Sequence, residues 1–324
     1  MNKKNLIILF EFIIILVLVF LQISSLTQNG NATYADFTKM HKLLSPRIYA
    51  GLIEPNSHLI FNLNPLEVAL KDYIEKNNLN VSVYILNMKD GSSMGINHNV
   101  DVEPASLNKL PLAMAVMKKV DNGELNLNDM LEIKPDDRDS NQGILFKSEI
   151  SELSIKDLLR YLLSESDNTA AHVLSREVSM SDIEAVSNYL DFYGTDDNYT
   201  TLNIPYTITA KSTSRLFMSL YLSTFLEADS SEYILNLLSN STFDINTYAN
   251  LPKEIVIAQK YGNYIDNNGH KSFHDCGIIY SGDKRFFYCV MTQDLKSKDA
   301  IKVIGTIVNS LYNYIGEIQA KTKV

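Results

Sequence analysis

The stretch that begins at Ser106 constrains the fold more than any other. Leu112, Ala113, Met114, Val116 and Met117 cover a helix nearly all round, so that helix must be enclosed by other elements instead of lying on a surface. A chain of 324 residues with 45% hydrophobic content is large enough to build such an enclosure. Proline is tolerated where amide donors are unpaired anyway, so Pro111 places the first turn of the helix near Leu107 to Leu110. Ser106 then sits at the helix N-terminus, where the dipole favours developing negative charge and a backbone amide is free for an oxyanion. Lys109, three residues on, returns to the same face. Its apolar surroundings push a lysine toward the neutral form, which can accept a serine proton.

Strand patterns lie on both sides of this helix in the chain. "NPLEVALKDYIEKNN" predicts a helix that starts after Asn64 with Pro65 at its first position and carries Leu66, Val68, Leu70 and Ile74 on one side. "VSVYILNMKDGSSMGIN" reads as strand, Asp90-Gly91 turn and strand. From Ser106 to about Leu238 the pattern is mainly helical. Its clearest member has Ser154 as N-cap and Ile155, Leu158, Leu159, Leu162 and Leu163 at helical spacing. "EIVIAQ", "HDCGIIY" and "RFFYCVMTQ" return to strand, and a helix over about Asp299 to Ile318 follows. The expected class is therefore α/β in the α+β sense. One antiparallel sheet is flanked by the N- and C-terminal helices and faces a mainly helical lobe, with a site between the lobes.

The amino terminus is of a different kind. Lys3 and Lys4 precede an apolar run from Leu6 to Leu21 broken only by Glu11, and Leu6 to Leu26 is long enough to cross a bilayer. No clear small-x-small cleavage site follows. The reading is one transmembrane helix as anchor over 1–27, a tether over 28–57 and a folded domain over 58–324 held outside the cytoplasm; a cleaved signal peptide and a buried soluble helix are the alternatives. The charge of −9, with no dense Lys/Arg block, argues against a nucleic-acid partner. Sequons at Asn31, Asn80, Asn198 and Asn240 matter only on a glycosylating route. Two cysteines are too few for a disulfide scaffold. A hairpin closing on a two-residue Gly282-Asp283 turn nevertheless sets Cys276 directly opposite Cys289, where an oxidising compartment allows a cross-strand disulfide.

An S-x-x-K pair alone is weak, and Ser281 to Lys284 repeats the spacing across a turn. Companions decide. Ser166-Asp167-Asn168 lies between two helical patterns, with Asp167 or Asn168 as cap of the second. Lys260-Tyr261-Gly262 comes at the end of a predicted strand, where a glycine lets a substrate backbone approach closely. Lys89-Asp90-Gly91 also fits K-x-G but precedes the serine and falls in a hairpin turn. In order and context the set resembles the class A β-lactamase and penicillin-binding-protein superfamily, with its S-x-x-K, S-D-N and K-T-G elements, over about residues 60 to 320.

The resemblance implies a β-lactamase/transpeptidase-like fold and a serine acyl-enzyme without metal or organic cofactor. Ser106 resembles the acylated nucleophile, Lys109 its base partner and Ser166 the hydroxyl that relays a proton to the leaving nitrogen. Asn168 resembles the residue that orients the substrate amide and Lys109, and Lys260 the cation that holds Ser166 and the substrate carboxylate. The oxyanion hole implied is the pair of amides of Ser106 and Asn263, the residue after Gly262. Two positions depart from the pattern. Tyr261 stands where the family has Thr or Ser helping to bind the carboxylate. Tyr199-Thr200-Thr201-Leu202-Asn203 matches E-x-x-L-N without its glutamate, and Asp196 and Asp197 are the nearby acids. His270, His274, Cys276 and Cys289 show no established metal-ligand spacing, and His274-Asp275 reads as part of a strand similar to the family's.

The expected substrates are β-lactams or the D-alanyl stem peptides of cell-wall precursors that they mimic. Slow deacylation is expected from the missing glutamate. A true β-lactamase, a D,D-peptidase or related cell-wall hydrolase, and a binding module that has lost its chemistry are the other readings.

Overall fold

Strand β1, Val81–Asn87, has no polar face, because all seven residues are buried, as they must be when both sides of a sheet are covered. Successive side chains divide between two cores. Val81, Val83 and Ile85 enter one, Tyr84 and Leu86 the other, following the period of two. In this computed structural model the described residues are 61–191, 207–265, 269, 271–282 and 284–322. They belong to the second of two units into which the chain divides after Leu59. The anchor and tether expected over 1–57 lie outside them, as do Asp196, Asp197 and the Tyr199 to Asn203 stretch. Among the described residues no helix is long and apolar enough to cross a membrane.

Helix α1, Asn64–Lys76, precedes β1, and β2, Ser93–Ile96, follows it. A 3₁₀ turn, Ala105–Asn108, runs into α2, Lys109–Asp121. Short strands β3, Met130–Glu132, and β4, Glu152–Ser154, pair with each other. The helical lobe continues with α3, Ile155–Ser164, α4, Asn168–Ser175, α5, Met180–Leu190, α6, Ala210–Leu222, and α7, Ala228–Ser239. A single turn, α8, Ile245–Tyr248, leads to β5, Val256–Ile265, β6, Lys271–Ser281, β7, Lys284–Gln293, and the last helix, α9, Ser297–Thr322.

Among the described residues the main sheet has the order β2-β1-β7-β6-β5, with every neighbouring pair antiparallel. Apolar residues of α1 and α9 pack on one face, and α2 with the helical lobe packs on the other. Leu110 to Met117 are all buried, so the helix without a solvent face is the enclosed one. Ser154 caps α3 by accepting from the Asp157 amide at 3.1 Å.

The structure corrects several local expectations. Leu66, Leu70 and Ile74 form the buried stripe of α1, but Val68 is 60% exposed; two residues on from Leu66, it lies on the far side of a 3.6-residue turn. The helix also begins at Asn64 itself. Lys260 to Gly262 lie in the middle of β5 instead of at its end. The β3–β4 pair was not expected, because three-residue strands are too short to show a period.

Cys276 and Cys289 are register partners and are joined as a disulfide. Gly282 takes φ +58° at the turn between β6 and β7, a left-handed conformation that glycine adopts without strain; Asp283 lies outside the described residues. The bond closes a loop of sequence separation 13, and loops of about this size lose about 3 kcal/mol of denatured-state freedom when closed. Replacing both cysteines by alanine is expected to lower stability by about that amount in urea unfolding of the oxidised protein. A change under roughly 1 kcal/mol would show that residual structure already holds these two segments near each other in the unfolded ensemble.

Candidate active site

Ser106 is set by a tight turn before it is set by a helix. The turn Ala105–Asn108 is 3₁₀, and the α-helix begins only at Lys109, so the serine stands in a 3₁₀ turn ahead of the α-helix, whose first turn was expected over Leu107 to Leu110. Ala105 has φ +47°, a conformation costly for a residue with a Cβ, which persists where surrounding structure imposes it. Two neighbours impose it here. His274 Nε2 donates to the Glu103 carbonyl at 2.7 Å, and burial lowers the His274 pKa to about 4, so the ring is the neutral donor at neutral pH. Gly262, its register partner on β5, lies so close that a Cβ there would stand 3.0 Å from the Ser106 amide nitrogen and from Ala105 Cβ.

Gly262 was expected to admit a substrate backbone, and the backbone it admits is the protein's own. The two amides expected as an oxyanion pair, those of Ser106 and Asn263, therefore belong to two segments in contact. Gly262→Ala is expected to shift the Ser106 turn by a few tenths of an ångström and to slow the acylation that the resemblance implies at Ser106 roughly 10-fold, since reacting groups tolerate little misplacement. The measurement is the rate of Ser106 labelling; an unchanged rate would mean that the turn adapts freely.

Ser166 precedes α4 and also has a left-handed backbone, φ +57°. Asp167 holds it there. Its Oδ1 caps α4 through the Ala170 amide at 3.0 Å, and its Oδ2 accepts from the amides of Ile144 at 2.6 Å and Leu145 at 2.9 Å. The Ser166 hydroxyl then lies between two lysines. Lys260 Nζ donates to it at 2.8 Å and to the Tyr261 carbonyl at 2.8 Å. Lys109 Nζ reaches it at 3.3 Å, with shorter bonds to the Ser166 carbonyl at 2.5 Å and Asn168 Oδ1 at 2.6 Å.

Two buried ammonium groups sharing one hydroxyl cannot both be comfortably charged. Burial lowers Lys109 to about 7, against the pull of Asp167 and Asp139. Burial and the Lys109 charge lower Lys260 well below its ordinary value, opposed by Asp275. A lysine titrating near neutrality can take a proton from a serine, and a hydroxyl bonded to both lysines can pass one onward.

Tyr261 closes one end of this group. Its ring packs against Phe243 at 5.2 Å and Phe273 at 6.4 Å between centroids, with Lys260 Nζ 4.6 Å from its own centroid. Its hydroxyl accepts from Gln142 Nε2 at 3.2 Å and donates toward the Glu165 carbonyl at 3.5 Å. Asn263, the next residue but one, is exposed.

The family model described as Beta-lactamase enzyme family matches residues 65–315. The chain belongs to the β-lactamase family. It is accordingly a serine hydrolase. It is 26% identical over 280 residues to β-lactamase VEB-1 of Pseudomonas aeruginosa, covering 77% of this chain and 90% of that protein. Among solved structures, the TLA-3 extended-spectrum β-lactamase superposes with TM-score 0.70 at 24% identity, covering 78% of this chain and 99% of that one. A PBP-A mutant in an acyl-enzyme complex with penicillin G superposes with TM-score 0.66 at 20% identity, covering 78% and 97%.

In this β-lactamase-family chain, Lys109, Ser166, Asn168, Lys260 and Tyr261 are joined by the hydrogen bonds above, and Gly262 abuts the Ser106 turn. Sequence reading missed Asp139 and Gln142, which come from the connection between β3 and β4, and the brace that His274 supplies. His274-Asp275 was visible only as strand. The buried Asp275 accepts from the Tyr288 hydroxyl at 2.6 Å, and burial pushes its pKa up to about 8. Cys276 and Cys289 are consumed by their disulfide, and His270 lies outside the described residues.

Proposed function

We propose that this chain is an exported serine acyl-enzyme, acylated at Ser106 by β-lactams or D-alanyl peptides and slow to deacylate. The observation that carries the reading is the Ser166 hydroxyl held between Lys109 and Lys260. Ser106 Oγ attacks the carbonyl carbon, the carbon–nitrogen bond breaks, and the serine proton passes to neutral Lys109 and through Ser166 to the leaving nitrogen. Hydrolysis of the ester then needs a base aimed at water, and Tyr199 stands at the sequence position of the family's glutamate. Tyrosine, with an ordinary pKa of about 10, is a poor base at neutral pH. The test is labelling with a fluorescent penicillin followed by a denaturing gel: a band present in the wild type and absent in Ser106→Ala is expected, and no band with any acyl donor would favour a binding module.

Efficient β-lactam hydrolysis is the second reading, favoured by the family match and by the VEB-1 relative. It requires Asp196, Asp197 or another group to act as base.

The extracytoplasmic placement rests on the lysine-flanked apolar run from Leu6 to Leu21. Fusions after Thr33 are expected to be active with a periplasm- or surface-dependent reporter. Activity of a cytoplasmic reporter there would remove access to cell-wall substrates.

A further inference from the structure

Asp139 touches the site without entering the steps above. Its Oδ2 accepts from Asn168 Nδ2 at 3.1 Å and lies 3.5 Å from His172 Nε2. Its Oδ1 accepts from the Asn141 amide at 2.7 Å, and its own amide donates to Thr169 Oγ1 at 3.1 Å. The Asn168 amide donates to the Gln142 carbonyl at 3.0 Å. Gly143 packs on the same loop with φ +102°, and a Cβ there would fall 2.1 Å from Asp167 Oδ2. The connection between β3 and β4 is thus laced to the start of α4 on both sides of Asn168, and the Asp139 side chain remains 22% exposed.

An asparagine side chain has one end that accepts and one that donates. Lys109 offers only donors to Asn168, so it requires Oδ1, which it meets at 2.6 Å. An ionised carboxylate only accepts, so Asp139 requires Nδ2. Each partner enforces the same orientation of the amide, and a reversed amide would set NH₂ against the lysine and oxygen against the carboxylate. We propose that Asp139 is a positioning residue for Lys109: its ionised carboxylate locks Asn168 with Oδ1 toward the lysine and adds negative charge to the lysine's surroundings. This rests on the reading of Lys109 as the base. Nδ2 keeps its second hydrogen, which is free for an acyl donor's carbonyl.

The electrostatics agree. Burial lowers Lys109, and Asp167 and Asp139 raise it; Lys260 faces it across Ser166 and is itself lowered by burial and by the Lys109 charge. His172 stands behind Asp139 and draws on the same carboxylate oxygen. Asp139 itself is held below the ordinary carboxylate range by the Asn141, Asn168 and His172 bonds, which outweigh its partial burial. It is ionised throughout the range in which Lys109 titrates.

The experiment compares wild type, Asp139→Asn and Asp139→Ala by NMR titration of Lys109 in ¹³C-lysine-labelled protein, and by the pH profile of Ser106 acylation with a penicillin. Asparagine at 139 can present its own Oδ1 to Asn168 Nδ2, with Lys109 still fixing the other end of that amide, but it carries no charge. The Lys109 midpoint is expected to move to lower pH in both variants. The acylation rate at the alkaline plateau should stay within about 3-fold of wild type in Asp139→Asn and fall roughly 10- to 100-fold in Asp139→Ala, where Asn168 is no longer locked. An unmoved Lys109 midpoint, or a plateau as low in Asp139→Asn as in Asp139→Ala, would overturn the proposal and leave Asp139 a support of the loop. If Asp139→Ala does not fold, the midpoint in Asp139→Asn decides alone. If the wild type forms no adduct, the NMR shift still tests Asp139, and only the acyl-enzyme reading fails.

Discussion

Brief exposure to a penicillin is expected to leave one acyl adduct on Ser106, visible by intact mass spectrometry and decaying slowly. The proposed attack is supported by Lys109, lowered by burial to about 7, by the Ser166 hydroxyl bonded to two lysines and by the 3₁₀ turn that carries Ser106. Each general acid–base contribution is worth about 10²- to 10⁴-fold. Lys109→Ala should therefore reduce adduct formation by at least about 10²-fold, and Ser106→Ala should abolish it. The adduct should form faster as pH rises through about 7, because burial has lowered the Lys109 pKa to that value and only the deprotonated amine accepts a proton. Deacylation lacks the family's glutamate and should be slower by a similar 10²- to 10⁴-fold than in an enzyme that has it. Rapid multiple turnover with no detectable adduct would overturn this, and Asp196 and Asp197 would be the next residues to mutate.

Tyr261→Thr is expected to raise acylation by carboxylate-bearing penicillins about 10-fold or more while lowering stability. The threonine restores the small hydroxyl found in the family between lysine and glycine, and a hydrogen bond to a charged group contributes about 1.5–3 kcal/mol, which is 10-fold or more in rate when it is made at the transition state. The tyrosine instead directs its hydroxyl to Gln142 and the Glu165 carbonyl. Its ring is half-buried against Phe243 and Phe273, so truncation should destabilise the fold by about 2–4 kcal/mol. Equal acylation of carboxylate-bearing and carboxylate-free donors in both proteins would show that this end of the site does not read a carboxylate. A fall in the variant would mean that the Tyr261 hydroxyl itself supports the donor.

The motif residues were legible because each carries a local signature. Pro111 and the apolar run mark a helix entry beside Ser106 and Lys109. Asp167 reads as a cap, and it does cap α4. Lys260 adjoins the short apolar run "EIVIAQ", which reads as strand, and lies within that strand, β5. Asp139 and Gln142 carry no such signature: an acid and an amide in a polar connection look like ordinary solvated loop residues until that connection folds against Asn168 and Tyr261. His274 had a visible strand context, but its bond to the Glu103 carbonyl links residues 171 positions apart, and no local pattern reports that.

Sequence by itself determined that the helix after Ser106 is enclosed, that Ser154 and Asp167 cap helices and, through the hairpin register, that Cys276 faces Cys289. These are short-range consequences of the 3.6- and 2-residue periods and of turn geometry. Tertiary structure alone decided that Gly262 makes room for the Ser106 turn, that Ser166 and Ala105 are held in left-handed backbone, and that Lys109 titrates near neutrality. A lysine's charge depends on how much water and which charges surround its nitrogen, and here those charges come from the β3–β4 connection, the start of α4 and β5. Periodicity shows which way a side chain points; packing between distant segments determines what it meets.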